Sequence, residues 1–120
     1  MFGHEKFGAY QAAIEFAGLA AQVIEKLPQG YGKLIDQLRR AAIAVPLNIA
    51  EGSGKATESQ KRHCYAIARG EAMECAAIMD VLLYLGLIES AKAQEAKGLL
   101  EKVVAILSTV CRKRKMKNGP

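Results

Sequence analysis

Four apolar stripes, each stepping by three and four residues and separated by short breaks, constrain this chain more than any other feature. On the first segment Phe7, Tyr10, Ile14, Ala17, Ala21 and Ile24 recur at that spacing. On the second the series is Ile35, Leu38, Ala42, Val45 and Ile49. The third carries Cys64, Ala68, Glu71, Cys75, Ile78, Leu82 and Leu85, and the fourth Ala96, Leu99, Val103, Ile106 and Val110. This spacing places residues on one helical face, and no segment alternates with the period of two that a strand requires. The breaks are residues 27–30, with Pro28 and Gly30, then 52–54, with Gly52 and Gly54, and then Gly86. Thr57-Glu58-Ser59-Gln60 reads as a capping box opening the third helix. Helices are therefore expected over about 5–26, 32–51 and 57–85, and from 90 onward. Long helices joined by short loops predict an all-α fold, an antiparallel up-down four-helix bundle. With 120 residues there is room for one such domain, expected over 1–111 and followed by a basic C-terminal tail, 112–120.

Two of the helices are apolar on a second side. The first also carries Ala12, Phe16, Leu19 and Val23, and the third Ala66, Gly70, Met73, Ala77 and Tyr84. A single bundle core covers one face of each helix, so a second apolar face needs a second partner. The expectation is a homo-oligomer whose interface includes Phe16, Leu19, Val23, Met73 and Tyr84. The fourth helix has a polar outer side, with Gln94, Lys97, Glu101 and Ser108. Pro46 falls inside the second helix, where a tolerated bend is expected.

The net charge of +5 is unevenly placed. Arg112, Lys113, Arg114, Lys115 and Lys117 supply five cations with no acid among them; the remaining 12 Lys and Arg are matched by 12 Asp and Glu. A neutral body with a cationic terminus points to contact with phosphates, RNA or DNA, without sequence readout. Arg39, Arg40, Arg62 and Arg69 are the further candidates in the body. Glu71 lies in the middle of the third helix's apolar stripe, and a carboxylate there requires partners. Asn48, Glu51, Glu71 and Glu74 are expected to form a structural polar network, with Arg39 or Arg40 as counter-charge.

The chemistry-bearing patterns of enzymes are missing. A carboxylate di-metal bundle needs Glu-x-x-His pairs, and neither His4 nor His63 has that spacing to a glutamate. Cys64, Cys75 and Cys111 form no C-x-x-C pair, and their odd number in a chain without a secretory signal points to a reducing, cytoplasmic setting. Gly52-Ser53-Gly54-Lys55 lacks the phosphate-loop pattern and a preceding strand. No apolar run approaches the length of a membrane span. The expectation is a non-enzymatic protein with no catalytic residue, no metal and no cofactor, acting on nucleic acid or on a protein partner and not on a membrane.

The second helix carries a longer pattern. Gln37-Leu38-Arg39-Arg40-Ala41 is followed by a small apolar stretch through Pro46 and by Asn48-Ile49-Ala50-Glu51-Gly52. This resembles the signature of the four-helix-bundle proteins encoded in intervening sequences of 23S ribosomal RNA genes. Ala68-Arg69-Gly70 with Glu71 and Glu74 is similar to that family's third-helix pattern, with Glu71 where serine is usual, and Leu85-Gly86-Leu87-Ile88 fits the usual end of that helix. The likeness covers about residues 7–110. It implies a ring-like homopentamer and a relationship to the accessory proteins of diversity-generating retroelements, which bind nucleic acid and a reverse transcriptase.

Overall fold

Capping chemistry sets the helix ends close to where the sequence places them. In the computed structural model, which describes residues 3–117 except the side chains at 5, 6 and 112–117, the helices are α1 (Gly8–Glu25), α2 (Gly32–Ser53), α3 (Glu58–Tyr84) and α4 (Ser90–Lys117). Short 3-10 turns, Gly3–Lys6 and Gln29–Tyr31, precede α1 and α2. The Thr57 hydroxyl accepts from the Gln60 amide and the Gln60 side chain accepts from the Thr57 amide, so the capping box is complete. At the other end of α3, Gly86 adopts φ +72°. Its amide donates to the Leu83 carbonyl and that of Leu87 to the Leu82 carbonyl, the two bonds of a Schellman motif. That turn sends Leu87 and Ile88 back against the core.

Each helix packs on its neighbours in sequence, and α4 closes on α1. The polar bridges fix the sense of the packing. Asp80 of α3 meets Lys97 of α4, and Arg69 of α3 meets Ser108 of α4: an eleven-residue step backward on one helix matches an eleven-residue step forward on the other. The molecule is all-α, with no strand among the described residues and extents of 51 × 30 × 22 Å. α2 continues through Pro46, which is buried. α4 continues to Lys117, eleven residues beyond Ile106, whose side chain lies against the start of α1 at Gly8.

One core runs the length of the bundle, with Phe16, Leu38, Ile49, Met79, Leu82 and Leu100 fully enclosed. The stripes expected on α2 and α3 face it, apart from Ile35 and Glu71, which are half-buried, and Leu85, which is exposed. α1 is turned the other way. Its expected seam is peripheral, with Ile14 46% exposed, and the residues assigned to an intersubunit face, Phe16, Leu19 and Val23, are buried inside the monomer. The physical reason is area. Along the middle of the helix Phe16, Leu19 and Val23 remove more apolar surface from water than Ala17 and Ala21 do, at roughly 25 cal/mol per Å², so that stripe takes the core there, while Phe7, Tyr10 and Ile24 pack at its edge. On α4 the buried series is Ala93, Ala96, Leu100, Val103 and Leu107, with Leu99, Ile106 and Val110 half-buried at its edge. Met73 and Tyr84 are exposed, 51% and 92%, as a surface role requires.

Candidate functional site

The charged residues singled out from sequence fall on separate faces. Arg40 of α2 bridges to α3: one guanidinium nitrogen donates to Glu71 Oε2 at 2.7 Å and another to Glu74 Oε2 at 2.8 Å. The spacing of Glu71 and Glu74, one helical turn, lets a single planar fork engage both. The hydrogen bonds that Arg40 donates to Glu74 and then Glu71, with the charges of the two carboxylates, push the Arg40 pKa up. Behind this bridge Cys75 is buried, and desolvation, followed by the charges of Glu74 and Glu71, pushes its thiol up to about 12. Cys75 is thus a neutral small hydrophobe rather than a nucleophile.

The other two members of the expected network lie elsewhere. Asn48 donates to the carbonyl of Ala44 on its own helix at 2.8 Å, the local bond that a short amide finds most easily. Glu51 lies 3.4 Å from Lys55 and 3.9 Å from the Cys64 sulfur, near the end of α2. The expected four-residue network is therefore split: Arg40 bridges Glu71 and Glu74, Asn48 bonds within α2, and Glu51 meets Lys55 and the Cys64 thiol of α3.

Arg39 stands 3.6 Å from Asp36 and lines the groove between α1 and α2. Arg69 donates from Nε to Ser108 Oγ at 2.6 Å, tying α3 to α4. Arg62 is half-buried on α3. These four arginines do not converge on one patch, and Arg40 is already neutralised by two carboxylates. The side chains of Arg112, Lys113, Arg114, Lys115 and Lys117 lie outside the described residues. No group of three metal-ligating side chains occurs among the described residues, and no described helix is long and apolar enough to cross a membrane.

Among the described glycines, Gly52 has the least room for a side chain, a feature that sequence reasoning missed. Tyr65, buried on α3, packs over Gly52, the glycine that ends the α2 signature. A Cβ at position 52 would stand 2.7 Å from the Tyr65 ring and 3.0 Å from the Cys64 Cβ. The same ring lies against Phe7 at 5.8 Å between centroids, its hydroxyl is 3.2 Å from Ser53 Oγ, and Lys61 Nζ donates to the Ser53 carbonyl at 3.0 Å. This end of the bundle brings together the start of α1, the end of α2 and the start of α3. The signature thus encodes a helix junction: its arginine reaches α3 at one level, and its glycine admits a ring at another.

A family model described as 23S rRNA-intervening sequence protein matches residues 5–109. The chain belongs to that family. No curated protein matches it in sequence. In this intervening-sequence protein the matched span includes the Arg40 bridge, the Gly52–Tyr65 contact and nearly all of the bundle, and it ends before the five cations that follow residue 111.

Also missed from sequence are Ile43 and Leu47. They form an exposed pair on the outer side of α2, 50% and 62% accessible, one turn apart on the signature helix.

Proposed function

We propose that this intervening-sequence protein is a non-enzymatic, oligomeric assembly protein that holds nucleic acid by its phosphates without reading sequence. The observation that supports this reading is the partition of charge. The body carries equal numbers of cations and anions, while five cations sit together on the last turns of α4 and just beyond the family-matched span. Cations at a helix C-terminus also complement its dipole, so the helix can extend to present them. Each phosphate neutralised releases counterions, and binding should weaken steeply with salt. Assembly would multiply a five-charge segment into a polyvalent one. Five copies is the number that the resemblance implies.

The test is fluorescence anisotropy of RNA and DNA oligonucleotides across a salt series, comparing the full chain with one ending at Cys111. Loss of most of the affinity on truncation, with the log–log salt slope falling by about 0.7–0.9 per lost contact, supports the reading. Equal binding by both forms would move the contact to the arginines of the body. No binding at low salt defeats it. A second reading, a scaffold or accessory subunit for a protein partner such as a reverse transcriptase, is favoured by the exposed apolar side chains of α2 and α3. A nuclease-resistant protein complex would distinguish it.

A further inference from the structure

Two surface stripes, one on α2 and one on α3, carry the same pattern in reverse. On the outer side of α2 the order is Arg40, Ile43, Leu47, Glu51: a cation, two apolar residues and an anion, at steps of three, four and four. On α3, read backward, the order is Asp80, Ala77, Met73, Arg69: an anion, two apolar residues and a cation, at the same steps. Each stripe spans eleven residues, about 16 Å of helix. Their shapes differ. Ile43 and Leu47 project as a ridge. Met73 and Ala77 form one wall of a groove of about 440 Å³ between α3 and α4, whose far wall includes Leu100, Val104 and Ala105. The Asp80–Lys97 bridge crosses that groove at one end, and the Arg69–Ser108 bond ties the two helices together towards the other.

Resting on the oligomeric reading above, we infer that the α2 ridge of one copy docks antiparallel in the α3–α4 groove of the next. Ile43 and Leu47 then lie over Ala77 and Met73, Arg40 faces Asp80, and Glu51 faces Arg69. The partner is a second copy because both halves of the match are on this chain. Charge alone would also allow α2 to pair with α2, or α3 with α3, since each stripe is cationic at one end and anionic at the other. Shape decides against both: two ridges would hold the helices apart, and two grooves would leave a void, whereas a ridge in a groove fills. The terminal groups keep unused capacity. Arg40 spends two guanidinium N–H groups on Glu71 and Glu74, Asp80 uses one carboxylate oxygen on Lys97, and Arg69 bonds Ser108 through Nε alone. Such charges at the rim set register and exclude wrong pairings more than they add affinity. The two surfaces are different patches of one protomer, so the contact is heterologous and each added copy leaves a ridge free at one end and a groove at the other until the ring closes.

The experiment uses Leu47→Asp and Met73→Asp in the full chain, with mass read by light scattering or sedimentation and folding by circular dichroism. Both positions are exposed, so both variants should keep the helical content of the wild type. The wild type should assemble, and each variant alone should run at the chain mass of 12.9 kDa. An equimolar mixture should give a species of twice that mass and nothing larger, because one intact ridge meets one intact groove. A Met73→Asp protein that stays assembled indicates ridge-on-ridge pairing and overturns the inference; so does an assembled Leu47→Asp protein, which indicates groove-on-groove. Wild type that assembles while both variants also assemble defeats this register and leaves the oligomeric reading standing. Monomeric wild type defeats both. As a second check, Glu51→Arg or Arg69→Glu alone should weaken association at least tenfold and the double exchange should restore it; failure of the restoration counts against the pairing.

Discussion

The two flanks of α3 are built on opposite plans. Toward α2 the seam is closed: Tyr65 lies on a bare glycine, Arg40 forks onto Glu71 and Glu74, and Cys75 is sealed beneath. Toward α4 the outer rim is open above the shared core: alanines at 76, 77 and 105 leave a groove, and polar bonds bridge its sides. The same helix therefore spends its large residues on its own bundle along one edge and withholds them along the other. A flank left short of volume in a well-packed molecule is available to a partner.

Removing the ring from the closed flank should have the largest effect. Tyr65→Ala deletes an aromatic group packed against Gly52, Phe7 and Ser53, and should lower stability by about 3–5 kcal/mol in urea or thermal unfolding. Next is Gly52→Ala. In an ordinary helix that change stabilises by nearly 1 kcal/mol, but here the added methyl meets a buried ring, and overpacking of roughly 1–3 kcal/mol should leave a net loss of up to about 2 kcal/mol. A gain in stability would show that the ring yields and that the closed flank is softer than its geometry suggests.

A third test varies pH. The Cys75 thiol is raised in the folded protein, to about 12, above its ordinary 9.0. The folded state holds that proton more tightly than the unfolded chain does. The stabilisation is complete below pH 9 and is lost progressively as the pH rises from 9 toward 12. At pH 10 the loss should be about 1 kcal/mol, and Cys75→Ala should remove that part of the slope. Arg40→Gln should cost less than the Gly52 change, since the guanidinium is exposed to solvent, and its effect should shrink with added salt. The smallest effect belongs to the open flank. Ala77→Leu adds volume where there is room, and the monomer's unfolding free energy should stay within about 0.5 kcal/mol of wild type. If Ala77→Leu proved as damaging as Gly52→Ala, the contrast between the flanks would fail.

Where one stripe dominated a helix, the sequence sufficed. α2 shows a single strong apolar face around Leu38, Val45 and Ile49, and that face is the core. Thr57 with Gln60, and Gly86, are local signals whose partners lie within a few residues, so they marked the ends of α3 accurately. α1 misled because spacing cannot rank two apolar stripes; only the size of Phe16 and Leu19 against Ala17 and Ala21 separates them. The polar site was legible in its components but not in its grouping. Glu71, Glu74 and Arg40 meet because the packing of α2 on α3 brings them to one level, whereas Asn48 and Glu51 lie further along α2, where Asn48 bonds its own helix and Glu51 meets Lys55 and Cys64. The Gly52–Tyr65 contact depends on packing between helices, which no spacing within either helix reveals. Ile43 and Leu47 were hidden within the apolar stretch of the signature, where their neighbours Ala42 and Val45 face the core while they stand one turn apart on the outer side.

The bare glycine under Tyr65 also makes a statement about inheritance. Positions 52 and 65 share one volume, so neither can drift alone. A side chain gained at 52 while the ring is present meets that ring, whereas one gained after the ring is lost does not, so the two changes should be strongly non-additive. Across relatives of this chain the two sites should therefore change as a pair, and glycine should be retained wherever the aromatic persists.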